Sequence, residues 1–181
     1  ATAKDLPAKD ATLYRRAAAR VNYIALDRPD LSFASRVAAS KMSSPKEGDD
    51  MLIKRIVRYL QGKPQVAIHY GFQDPGQDVI VLTDSDWAGC RVTGRSTSGE
   101  ALMIGGHFLK GWSMTQNNVT SRSAEAELIA LVKCSAELPG MRSAMKYWGA
   151  ESSGVVYADS SAALAIANRK GAGKLRHINA V

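Results

Sequence analysis

The chain has 181 residues, 45% hydrophobic and 23% charged, with a formal net charge of +7. That length supports one domain or one and a half around a real core, and no apolar run approaches the roughly 18 residues that span a bilayer, so no membrane insertion is expected. Two cysteines, Cys90 and Cys134, make no disulfide framework and match no metal spacing with the three histidines; reduced thiols in an intracellular compartment, cytoplasm or nucleus, are the expectation.

The N-terminus, Ala-Thr-Ala-Lys-Asp, has no apolar core behind it, so it does not read as a signal peptide. A chain that opens without Met suggests a fragment or a processed product. The charge is uneven: residues 1–63 carry 13 Lys and Arg against 7 Asp and Glu, whereas residues 64–181 carry 11 against 10. A basic N-terminal third suggests a polyanion contact, with phosphate the usual candidate, although an Arg-rich solvated helix surface accounts for the same charge.

In chain order, Asp10 reads as the cap of a helix with Leu13, Ala17, Val21 and Ile24 on one face, ended by Arg28-Pro29. Asp30 caps a second helix reaching about Met42. Ser44-Pro45-Lys46-Glu47 looks like a third helix start, with Pro at the first position and Glu closing a capping box. That helix turns Leu52, Ile56, Val57 and Leu60 inward and Lys54, Arg55 and Arg58 outward, and it stops at Gly62. After Pro64 the period changes to that of strands: Val66–Tyr70, Val79–Thr83, and a hairpin of Glu100–Ile104 and His107–Trp112 turning at Gly105-Gly106. A helix follows from Ser121, then a strand over Val155–Asp159 and a helix over Ala162–Asn168. The organisation is a small helical segment, residues 1–63, ahead of an α/β domain, residues 64–181.

The chemistry points to the stretch Val79–Asp86, four aliphatic residues followed by Thr-Asp-Ser-Asp. A strand buried on both faces with acids at its exit is how α/β folds bring charge to the rim of a sheet. A second strand ends in Asp159, and the helix between them carries Glu125 and Glu127. With the strands as neighbours and the helix crossing their ends, three carboxylates converge, a costly arrangement whose natural counter-charge is Mg²⁺ or Mn²⁺. Two such ions would activate water and stabilise an in-line phosphodiester displacement. Helical geometry does not choose between Glu125 and Glu127, which flank the apolar face at similar angles.

Six ordered motifs carry a resemblance. Thr83-Asp84-Ser85-Asp86-Trp87-Ala88-Gly89, Arg95-Ser96-Thr97-Ser98-Gly99, Trp112-Ser113 with Gln116, Ser123-Ala124-Glu125-Ala126-Glu127-Leu128, Asp159-Ser160 with Ala162-Ala163, and Arg176-His177-Ile178 resemble the ribonuclease H domain of copia-type retrotransposon polyproteins. Tyr14–Gly62 resembles the end of the preceding reverse transcriptase. The resemblance implies a ribonuclease H-like mixed sheet with flanking helices, and cleavage of the RNA strand of an RNA–DNA hybrid with two divalent ions. It implies Asp84, Glu127 and Asp159 as catalytic metal ligands, because Glu127-Leu128-Ile129-Ala130 fits the family's helix pattern and Glu125 does not. Asp86 falls outside the metal core.

Residues 160–181 contain no Asp or Glu, Asn179 stands where an acid is expected, and the sequence stops before the family's closing helix. Three acids provide for one ion better than for two. His177 is the remaining polar candidate near a scissile phosphate. Lys54, Arg55, Arg58, Gln116, Asn117, Lys174 and Arg176 are the candidate nucleic-acid contacts. The rest of a reverse transcriptase or a larger assembly is an implied partner. A rival reading is a catalytically inactive retroelement fragment kept as a nucleic-acid-binding or structural subunit.

Overall fold

The structure is a computed structural model that describes residues 4–74 and 76–169. Helix α1 spans Ala8–Ile24 and is followed by a single 3₁₀ turn, Pro29–Leu31, then α2, Ser32–Ser40, and α3, Asp50–Gly62. Tyr14, Ala18, Val21, Leu31, Ala38 and Ile56 form their common core, with Leu6, Met42, Ile53 and Leu60 packed against it. The small residues let the helices approach closely, and Tyr14 satisfies its hydroxyl by donating to the Ala38 carbonyl at 2.9 Å. Leu31 is the largest fully buried side chain of this cluster, 2% exposed. Leu31→Ala is expected to cost about 2–5 kcal/mol, measured as a lower urea midpoint at unchanged slope; an unchanged midpoint would mean that this cluster does not support the fold.

The Arg28–Asp30 ion pair closes the helical segment onto the chain that leaves it. Arg28 also donates to the carbonyls of Lys63 and Pro64 at 3.1 Å, and Tyr59 donates to Asp30 at 2.7 Å. Arg28, helped by Tyr59, holds the Asp30 carboxyl down at about 2.

The expected start of the third helix is displaced. Ser44-Pro45 lies in an extended stretch that carries the bridge between Asp5 and Lys46, and the helix begins at Asp50. Asp49 accepts from the Lys46 backbone N–H at 2.8 Å, its side chain reaching three residues back, so the Lys46–Asp49 turn, and not a Ser44–Glu47 capping box, leads into the helix. The expected strand over Val66–Tyr70 is absent as well: its backbone joins no ladder, and it is tethered through side chains, Tyr70 to the Phe108 carbonyl and Gln73 to that of Ile104. Alternation makes a strand only where a partner edge exists.

The sheet has four strands, β1 (Val79–Asp86), β2 (Thr97–Ile104), β3 (His107–Thr115) and β4 (Gly154–Ala158), in the order β3-β2-β1-β4. β1, β2 and β3 are antiparallel neighbours, whereas β4 runs parallel to β1 and therefore needs a crossover connection. Helices α4 (Ser123–Ser135) and α5 (Glu137–Tyr147) make that crossover, and α6 (Ser161–Ala167) follows β4. The sequence reading does not mark α5; here Pro139 occupies the first helical turn, where its missing N–H costs nothing. The hairpin turns at Gly105, whose φ of +53° favours glycine. Val79, Val81, Leu102, Cys134 and Met145 form the second core, between the sheet and α4 and α5. The result is the mixed α/β sheet with flanking helices that a ribonuclease H-like arrangement requires. Among the described residues no helix is long and apolar enough to cross a membrane.

Candidate metal centre

The parallel pairing of β1 with β4 sets the site. Thr83 lies opposite Ala158, so the residues that follow them, Asp84 within β1 and Asp159 just past the end of β4, come side by side. Helix α4 packs over β1 and brings Glu127 down beside them from its second turn. Asp84, Glu127 and Asp159 each offer a carboxylate oxygen, and these oxygens all lie within 4.8 Å of one another. Asp86 is outside the trio.

Glu127 is the buried member, 7% exposed, while Asp84 and Asp159 are open to solvent. Its Oε1 accepts from the Ser85 backbone N–H at 3.1 Å and from the Ser85 hydroxyl at 2.7 Å. Its Oε2 is buried without a hydrogen-bond partner. Burial pushes the Glu127 carboxyl above its ordinary range; the bonds from Ser85 oppose this, and the neighbouring charges of Asp84 and Asp159 add to it. A buried carboxylate with one unpartnered oxygen, grouped with two further carboxylates, fits a hard divalent cation, which takes oxygen ligands and cancels the repulsion. Mg²⁺ and Mn²⁺ both suit this donor set.

Glu125 does different work. Its Oε2 accepts from the Ser121 backbone N–H at 2.9 Å, closing the first turn of α4. Two residues apart on one helix, one glutamate is a cap and the other joins the acids. The sequence reading did not single out Ser85, which holds Glu127 in place; its position between the two acids of the Asp-Ser-Asp triplet was the available signal.

The surroundings form a polar frame. Trp87 donates its indole N–H to the Thr120 carbonyl at 3.2 Å, and the Ala88 N–H donates to the Ser96 hydroxyl at 3.1 Å. Gln116 corrects a sequence expectation. It is 0% exposed, and its amide donates to the Ser98 hydroxyl at 3.0 Å and the Ala126 carbonyl at 2.8 Å, so it braces β2 against α4 and is unavailable to a nucleic acid. Gly89 sits directly against Asp86, where a Cβ would run into that carboxylate.

Asn117 is exposed on the loop between β3 and α4. Lys54, Arg55 and Arg58 lie on the exposed face of α3, with Lys54 paired to Asp50 at 2.6 Å. Lys174, Arg176 and His177 fall outside the described residues.

No family model matches the chain, and no solved structure matches it significantly. Curated proteins do. The chain is 33% identical over 132 residues to the uncharacterized mitochondrial protein AtMg00810 of Arabidopsis thaliana, covering 71% of this chain and 53% of that protein. It is 32% identical over 174 residues to the retrovirus-related Pol polyprotein from transposon RE2 of the same plant, covering 93% of this chain and 12% of the polyprotein. It is 34% identical over 131 residues to the corresponding polyprotein from transposon RE1, covering 71% of this chain and 9% of that protein. The chain thus spans about half the length of the first relative and about a tenth of the two polyproteins. These relatives support a retrotransposon Pol-derived protein.

Proposed function

We propose that this chain is a divalent-cation-dependent endonuclease of the ribonuclease H type, hydrolysing the RNA strand of RNA–DNA hybrids as retroelement RNA is converted to DNA. The observation that carries the reading is the convergence of Asp84, Glu127 and Asp159 from three separate elements, with their oxygens within 4.8 Å of one another. The similarity to Pol polyproteins supports the retroelement setting of this reading.

In this reading Asp84, Glu127 and Asp159 hold Mg²⁺ or Mn²⁺, which when bound supplies Lewis-acid stabilisation of phosphate charge and a more acidic water. The protein's own part is preorganisation. Ser85 fixes the rotamer of Glu127 with two hydrogen bonds to Oε1, which leaves Oε2 without a hydrogen-bond partner. The β1–β4 register fixes the separation of Asp84 and Asp159. These three carboxylates form a ligand set for one ion; a second would draw on groups beyond them. Lys54, Arg55, Arg58 and Asn117 are exposed and suited to phosphate or groove contacts; Lys174, Arg176 and His177 keep their sequence-derived assignments.

The test is cleavage of a labelled RNA strand in Mg²⁺ or Mn²⁺, offered as a hybrid, as double-stranded RNA and as single-stranded RNA. Cutting confined to the hybrid and stopped by EDTA is expected; no cutting by folded protein overturns the reading. A structural or nucleic-acid-binding role without catalysis is the second reading, favoured by the absence of any Asp or Glu in residues 160–181. Melting in Mn²⁺ separates the two, since a cation at 100 times its Kd adds about 2.7 kcal/mol of stability to a protein that binds it only when folded. A cluster that never takes an ion leaves the melting temperature unchanged.

A further inference from the structure

We propose that Arg36, contributed by the helical segment, anchors a second phosphate of the nucleic acid bound at the carboxylate site. The inference rests on the ribonuclease H reading and deepens it, and it starts from register. Asp84, Gly99 and Ser113 form one row across β1, β2 and β3, and Asp86, Thr97 and Thr115 form the row two residues further along. Positions two apart on a strand share a face, so both rows lie on the same side of the sheet. Arg36 reaches from α2 to the far end of the second row, donating from Nη1 to the Thr115 hydroxyl at 2.9 Å. Its guanidinium also lies 5.1 Å from the centroid of the Phe33 ring.

Two strand spacings of about 4.8 Å separate β3 from β1, which stations the guanidinium about 10 Å from the acid-bearing strand. Between Thr115 and Asp86 the row holds Thr97, 7% exposed, and the neighbouring row, beside Asp84, holds Gly99, where an added Cβ would meet nothing within 4 Å. On this face the open, small position is Gly99.

The guanidinium is underused. Its Nε is buried without an acceptor, and among the described residues Arg36 makes no ion pair within 4.0 Å, although Asp86 and Cys90 lie within its electrostatic reach. A cation left short of acceptors beside a nucleic-acid site is matched by a phosphate, for which the planar fork of arginine is well shaped. Lys41 at the end of α2 lies within electrostatic reach of Cys90, and Arg91 and Arg95 are exposed on the loop between β1 and β2.

The experiment measures binding of a fluorescent RNA–DNA hybrid by anisotropy in EDTA across a salt series, independent of any cutting. Arg36→Gln, which keeps a stem for packing on Phe33, is expected to weaken binding about 10-fold and to reduce the salt slope by about 0.9, the loss of one phosphate contact. Thr115→Val removes the hydrogen-bond partner and leaves the charge, so its salt slope stays at the wild-type value. Arg36→Lys keeps both charge and slope, and stands in if Arg36→Gln does not fold. An unchanged slope in Arg36→Gln, or equal losses in Arg36→Gln and Thr115→Val, reduces Arg36 to a structural latch and overturns the proposal. Loss of cleavage with intact, Arg36-dependent binding would strike the catalytic reading alone.

Discussion

Asp84→Asn is expected to reduce hybrid cleavage by more than about 100-fold, since even residues that merely orient a metal's ligands cost 10–100-fold when lost. The fold should survive, because Asp84 is solvent-exposed and none of the packing of β1 depends on its charge. In the metal-free protein the substitution removes one of the two negative charges facing Glu127, so the melting temperature should hold or rise slightly. What should vanish is the rise in melting temperature on adding Mn²⁺. Glu125→Gln is the matched comparison: it weakens a helix cap, worth about 1 kcal/mol, but leaves both the Mn²⁺ response and the cleavage. Wild-type cleavage by folded Asp84→Asn protein would remove the acid cluster from the mechanism.

Glu100→Gln is expected to stabilise the protein, and only above a particular pH. Glu100 lies on β2 opposite Trp112, 7% exposed, with both carboxylate oxygens buried and lacking hydrogen-bond partners. Burial pushes its carboxyl up to about 6 from 4.5; Lys133, Trp112 and Lys110 pull it down, while Glu137 pushes it further up. The folded value is above the unfolded one, so the folded state holds the proton more tightly. Below pH 4.5 both states are protonated and there is no penalty. Between 4.5 and 6 the penalty grows, and above 6 it is complete. A gap of that size corresponds to about 2 kcal/mol. Relative to wild type, Glu100→Gln should therefore gain about 2 kcal/mol between pH 4 and pH 7.5, roughly 4–8 °C in melting temperature for a chain of this size. Melting curves at the two pH values measure it, and a difference independent of pH refutes it. The buried position also carries a lesson: the hairpin reading recognised Glu100–Ile104 as a strand but gave no sign that its first residue would face the core.

The elements that were legible in the sequence are those whose local pattern and tertiary setting agree. Val79–Asp86 is apolar and then acidic, and it becomes the central strand with Asp84 at its exit. The helix expected after Asp159 is present as α6, and Ser160 caps it, accepting from the Ala163 N–H at 3.2 Å. Where a local signal has two outlets, tertiary structure decided. Pro139-Gly140 is compatible with a turn or with the first turn of a helix, and packing of Leu138 and Met141 on the second core selected the helix. Ser44-Pro45 offered a cap that the bridge between Asp5 and Lys46 displaced. Gln116 looked like a surface amide because nothing local reports that Ser98 and Ala126 will close over it. The choice between Glu125 and Glu127 was not available from helical geometry; the three-dimensional arrangement separates them by giving the Ser121 N–H to one and the Ser85 hydroxyl to the other.

The parallel partnership of β1 and β4 has a kinetic consequence. A hairpin such as β2–β3 closes a short loop and forms early, whereas β4 reaches β1 only after the whole α4–α5 crossover is in place, and contacts of long sequence separation form slowly. The last of the three acids therefore arrives with the last strand. In a refolding experiment, cation-dependent signal should lag behind the appearance of secondary structure, and amide protection along β4 should deepen when Mn²⁺ is present. Nascent chains would acquire their helices and hairpin first, and the three carboxylates would come together only when the sheet is complete.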